Sequence, residues 1–180
     1  MKKLVTKLVK YESDKNHPEE IKKCFDFVVN ELKKAGLKIK IFNHNSHLSL
    51  IAAHKIKKHY HYILNGHLDV VPASYKDAYK PIIKGNRLYG RGASDMKGPD
   101  AALIETTKIP LLKKVDFALI LNTDEEIGGT DGVRYLLEDK GYSCDCVIIP
   151  DGGDNFQLTL GEKGVLHIQI NARGLSLIHI

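Results

Sequence analysis

The sequence predicts an α/β protein: a three-layer sandwich with a mostly parallel central sheet. Three observations lead there. Apolar runs of strand length, "FALILNT" and "CVIIP", lack the alternation of half-exposed strands, as expected of strands covered on both faces. Segments with apolar residues at helical spacing lie between such strands, which is the order that builds parallel sheets. The chain has 180 residues, 43% hydrophobic and 27% charged, the balance of a globular domain large enough to bury a core.

Taken in order, Leu4, Val5, Leu8 and Val9 fall at helical spacing and predict a short amphipathic helix. "SDKNHP" reads as a loop. Pro18 suits the first turn of a second helix, with Glu19 and Glu20 favoured at its positive end. That helix carries Ile21, Phe25, Val28, Val29 and Leu32 on one side and stops at Gly36. "LKIKIF" alternates as a half-buried strand, and "LSLIAA" and "HYILNG" are further strands. "PIIKGNRLYG" places a Gly-Asn turn between two short strands. "GPDAALIETTK" opens a helix with Pro99 at its start, and "FALILNT" is a strand buried on both faces. "GGTDGVRYLLEDKG" predicts a helix ending at Gly141, and "CVIIP" another buried strand. "FQLTLGEKGVLHIQINARG" predicts two strands around "GEKG".

Composition narrows the function. A net charge of +5 could suit nucleic acid, but the lysines are scattered without glycine-aromatic interleaving, so no nucleic-acid partner is expected. No apolar run has the length of a membrane span, and the N-terminal apolar stretch is too short for a signal peptide. Cys24, Cys144 and Cys146 form no disulfide framework, and a cytoplasmic location is expected.

Four groups of polar residues each follow an apolar strand: His67 and Asp69 in "GHLDVVP", Asp95 in "GASDMKG", Glu125 and Glu126 in "TDEEIGG", and Asp151 in "IIPDGG". Singly, each has an ordinary explanation as a turn former or a solvated loop. Together they occupy the carboxyl ends of strands, where open α/β sheets bind ligands. Carboxylates crowded around an imidazole require positive charge, and one histidine among several carboxylates fits zinc, or cobalt or manganese. No "HExxH" or P-loop is present, and "GRGASD" lacks the third glycine of a dinucleotide fingerprint. His44 and His47 in a polar turn, and His59 and His61 on one face of a strand, are read as surface residues rather than ligands.

In this order and spacing the four motifs resemble the M20 metallopeptidase family, which includes acetylornithine deacetylase, succinyl-diaminopimelate desuccinylase, aminoacylase and carboxypeptidase G2. The resemblance implies a di-zinc exopeptidase-like catalytic domain acting on a small N-acyl amino acid or peptide. It implies His67, Asp95 and Asp151 around one zinc and Asp95 and Glu126 at a second, with Asp95 bridging. It further implies Glu125 as general base, Asp69 as the holder of the His67 imidazole, and a cis peptide at Asp95–Met96.

In that family a lid domain follows "ARG" and a distal histidine completes the second metal site. On the resemblance, residues 1–164 are the N-terminal part of the catalytic domain, and 165–180 begin the lid, through which the parent would form a homodimer. The tail "LSLIHI" departs from the family pattern, so the expectation is a chain truncated at the start of the lid, its ending either a truncated reading frame or foreign sequence. The alternative to a zinc amide hydrolase is an inactive fragment or a non-enzymatic metal-binding or interaction domain.

Overall fold

The structure, a computed structural model, describes residues 1–152. Its elements are α1 (Lys2–Val9), α2 (Pro18–Lys34), β1 (Lys38–His44), β2 (His47–Ala53), β3 (His59–His67), β4 (Ile82–Lys84), β5 (Arg87–Tyr89) and α3 (Lys97–Thr106). They continue with β6 (Phe117–Asn122), a 3₁₀ turn Glu125–Ile127, a π-helix Thr130–Asp139 and β7 (Ser143–Ile148).

The helix ends follow from local chemistry. Pro18 sits in the first turn of α2 with Glu19 and Glu20, Lys33 and Lys34 sit in the last, and both pairs oppose the helix dipole. The chain turns away at Gly36, whose φ of +80° suits a residue without Cβ. The β4–β5 hairpin closes through Gly85-Asn86, with Lys84 opposite Arg87.

Five strands form one sheet in the order β1-β2-β6-β3-β7. β3 pairs parallel with both β6 and β7, while β2 runs antiparallel to β6 and to β1. Only β2 is therefore reversed, so the sheet is mixed, with its parallel part at β6-β3-β7.

The layers follow from the alternation of side chains along the strands. Leu50, Ala52, Leu64, Leu119 and Leu121 face α1, α2 and α3 in one core. Ile51, Ala53, Ile63, Ala118 and Ile120 face the other way, with Leu136 of the π-helix and Tyr142. Successive residues of β6 thus enter opposite cores, which is why "FALILN" shows no polar alternation. Each fully buried Leu or Ile contributes about 1.5–3 kcal/mol through removal from water.

Two expectations need correction. The helix expected over "GGTDGVRYLLEDKG" is wound wider than an α-helix: the Arg134 N–H reaches Gly129 O and the Lys140 N–H reaches Tyr135 O, five residues back. Its start is fixed by the Asp124 carboxylate, which accepts the Asp131 and Gly132 N–H groups. The strand expected to be buried in "CVIIP" is exposed, with Val147, Ile148 and Ile149 at 49%, 47% and 53%. β7 lies at the sheet edge, where its pairing among the described residues is with β3 alone. The strands expected around "GEKG" and the boundary at 164/165 lie outside the described residues.

Candidate metal centre

The parallel strands decide where the polar residues meet. His67 ends β3 and pairs with Asn122 at the end of β6, three residues before Glu125. On the other side Leu64 pairs with Ile148, and continuing that register brings Asp151 level with His67. Asp95 arrives from the loop between β5 and α3, and the Asp95–Met96 peptide is cis.

His67 is the hub. Its ring is buried, and Nδ1 lies 3.0 Å from the backbone oxygen of Asp69 and 3.4 Å from Asp69 Oδ1. Donation from Nδ1 to Asp69 turns Nε2 toward the carboxylates. Nε2 is 3.1 Å from Asp95 Oδ1, 3.5 Å from Asp151 Oδ2 and 3.8 Å from Glu125 Oε2. Donor atoms of His67, Asp95 and Glu126 all lie within 4.8 Å of one another, as do those of His67, Glu125 and Asp151. Every residue expected at the site therefore lies in one cluster.

The loops carrying these residues are tied together. Asp69 Oδ2 accepts the Glu126 N–H at 2.9 Å, and the Val71 N–H donates to Glu126 Oε1 at 3.1 Å. Ser13, in a stretch read only as a loop, donates its hydroxyl to Leu68 O at 2.6 Å and accepts the Val70 N–H through its backbone oxygen. Asp124 is buried and fastens the turn beneath Glu125 and Glu126 to the π-helix. A Cβ on Gly132 would collide with its carboxylate.

The electrostatics are those of a site short of positive charge. Burial, then the surrounding carboxylates, raise Glu125, Glu126 and Asp151 above the usual range, and His67 opposes the shift in each. Burial pulls His67 down, but Asp69, Asp100 and Glu125 outweigh it and push the imidazole up to about 10. The crowded carboxylates thus favour positive charge at this point. One imidazole nitrogen facing clustered carboxylate oxygens is a donor set that fits a divalent metal.

Two neighbouring residues were invisible in the sequence. Asp100 on α3 is fully buried with neither carboxylate oxygen hydrogen-bonded, and a Cβ on Gly66 would collide with it. Lys97, also fully buried, donates its ammonium to Tyr11 O at 2.7 Å. Neither shows in local periodicity. The one available signal was an acid among the small apolar residues of "PDAAL".

His17, His59 and His61 have structural partners. His59 and His61 share the carboxylate of Asp145 on the exposed face of β3 and β7. His17 pairs with Asp14, whose carboxylate also accepts Asn16 N–H and Tyr79 O–H and so locks a loop.

Residues 63–171 match the family described as Peptidase family M20/M25/M40. A succinyl-diaminopimelate desuccinylase of Thiobacillus denitrificans is 31% identical, covering 84% of this chain and 43% of the relative. An uncharacterized metallohydrolase of Methanocaldococcus jannaschii is 36% identical over 60% of this chain and 30% of its own length. The chain thus spans less than half the length of either relative. Among solved structures, an M20 family metallo-carboxypeptidase from Sulfolobus solfataricus superposes with a TM-score of 0.69 at 23% identity, covering 83% of this chain and 36% of that one. Human carnosine dipeptidase 1 does so with a TM-score of 0.65 at 24% identity, covering 82% and 37%. These two likenesses establish the fold, and the motif-bearing match over 63–171 establishes the family: the chain belongs to peptidase family M20/M25/M40.

Proposed function

We propose that this chain supplies the metal-holding and proton-transferring residues of a hydrolase that cleaves an amide bond in a small N-acyl amino acid or short peptide. The observation that carries this reading is His67 Nε2 within 3.8 Å of Asp95, Glu125 and Asp151, with Glu126 in the same cluster.

His67, Asp95 and Asp151 would hold one ion, and Asp95 and Glu126 a second, with Asp95 shared. Bound there, two zinc ions, or cobalt or manganese in their place, would polarise an amide carbonyl and lower the pKa of water to about 7. Asp69 fixes the ring, because its acceptance from Nδ1 keeps the Nε2 lone pair on the ligand side. The Glu126 N–H to Asp69 bond couples that ring to the second carboxylate, so the two ligand loops hold one geometry.

Glu125 is the general base. Its carboxylate is half-exposed, reaches the same cluster and titrates above the usual range, which brings its proton affinity toward that needed near neutral pH. It would take the proton of the attacking water and then deliver it to the leaving nitrogen, so that the carboxyl group ends the cycle as it began.

In the protein extended to the length of its relatives, hydrolysis of N-acyl amino acids should stop on chelation and return with zinc. A rate indifferent to chelator would overturn the proposal.

A further inference from the structure

Beside the metal cluster lies a cavity of about 580 Å³ between the start of α2, the β1–β2 turn and the loops after β3 and β6. That volume is in the range of small-molecule sites. Asp69 and Glu126 form part of its wall, so it is continuous with the candidate metal centre. Pro18, Ile21, Leu48, Val71, Pro72 and Ile127 supply the apolar part of the lining, and polar groups, Lys15 and His47 among them, supply the rest. Val71, whose N–H donates to Glu126, and Ile127, the next residue along the chain from Glu126, are 46% and 52% exposed.

We propose that this cavity receives an uncharged apolar arm of the substrate, an acyl or side chain of about four to six carbons, with the scissile amide at the metal cluster. The inference rests on the hydrolase reading and adds to it a substrate class. An anionic arm fits the lining less well. The carboxylates of Asp69 and Glu126 face the same space, and of the cationic side chains in the lining the Lys22 ammonium is engaged by Asp26 at 2.5 Å, which leaves Lys15 and His47 as the groups an anionic arm would need. An apolar occupant would remove the exposed faces of Val71 and Ile127 from water.

The test uses the isotope-labelled, zinc-loaded chain and three probes that share one amide: N-acetylglycine, N-hexanoylglycine and N-succinylglycine. Binding is read from the amide signals of Leu48, Val71 and Ile127, and zinc content is measured in parallel. The expected result is that N-hexanoylglycine binds at least tenfold tighter than either other probe. Ile127→Gln and, independently, Ile21→Gln should abolish that preference while zinc content stays unchanged. Equal binding of the acetyl and hexanoyl probes, tighter binding of the succinyl probe, or a preference that survives both substitutions would overturn the proposal. A chain that takes up no zinc but keeps the hexanoyl preference would sink the metal reading and leave the cavity assignment standing.

Discussion

His67 ends β3, Asp151 lies three residues past the end of the neighbouring parallel strand β7, and Nε2 of the first is 3.5 Å from Oδ2 of the second. Nothing in either loop requires this contact. It follows from the register of β3 with β7, which delivers both residues to one edge of the sheet, where β6 delivers Glu125 and Glu126. A one-residue slip of β7 would turn its side chains to the opposite face.

Asp124 should prove the most important structural residue near the site. Its buried carboxylate satisfies the N–H groups of Asp131 and Gly132 at 2.9 and 2.8 Å. Asp124→Ala leaves both donors unpaired and should cost about 2–4 kcal/mol. Urea unfolding of the two chains measures it, and a loss below about 0.5 kcal/mol would mean that the turn is held otherwise.

Asp100 predicts a pH-dependent stability in the metal-free chain. Burial raises its carboxyl well above the usual range, against the opposing charges of His67 and Lys97 and with Asp151 and Asp69 adding to the rise. For an acid raised on folding, stability is fully present below the unfolded pKa of about 3.9 and is lost as pH climbs toward the folded value. Asp100→Asn removes that loss. It should be the more stable protein at pH 7, by about 1–3 kcal/mol, with the gap narrowing as pH falls to 4. Urea midpoints at pH 4, 5.5 and 7 test this, and a gap that widened toward pH 4 would contradict it.

Gly66 is kept small by the same carboxylate. A Cβ there would collide with Asp100 Oδ1 and lie 3.1 Å from Leu121 Cδ2 and 3.2 Å from Met96 Cε. Gly66→Ala should destabilise by about 1–3 kcal/mol. Because the principal clash is with one side chain, Gly66→Ala with Asp100→Ala should recover part of the loss, and additive effects would show that the two residues are not coupled.

The two adjacent glutamates should separate by function. In the protein extended to the length of its relatives, Glu125→Gln should retain its metal and lose about 10²–10⁴-fold in rate. Glu126→Gln should weaken metal uptake instead. Rates at saturating zinc, set beside zinc content, distinguish the two, and normal turnover by Glu125→Gln would remove it as the base.

His67, Glu125, Glu126 and Asp151 were legible because each stands at or just after the end of an apolar strand of the five-stranded sheet, so that the pattern already encodes a shared edge. Asp95 instead comes from the loop after the separate β4–β5 hairpin, so the sheet edge expected for it was wrong although the residue reaches the same cluster. The layers were legible for a related reason: the unbroken run of β6 requires cover on both sides. β7 carries a similar run and is exposed, because an apolar strand looks the same in sequence whether or not a neighbour covers it. The helix after Gly129 was legible, but its wide winding was not, nor was the Asp124 carboxylate that accepts the Asp131 and Gly132 N–H groups at its start. Ser13, Lys97 and Asp100 act through contacts between segments far apart in the chain, and no local period carries such information.

The central claim is that the His67 cluster is a metal centre, and zinc uptake by the 180-residue chain tests it most directly. After equilibrium dialysis against micromolar zinc, emission spectroscopy should find about one tightly held ion per chain, since a tight zinc site takes three or four protein ligands. His67→Ala and Asp95→Asn should each release it, while His59→Ala, on the far exposed face, should not. A chain that retained no zinc, or that held it equally well after His67→Ala, would contradict the account.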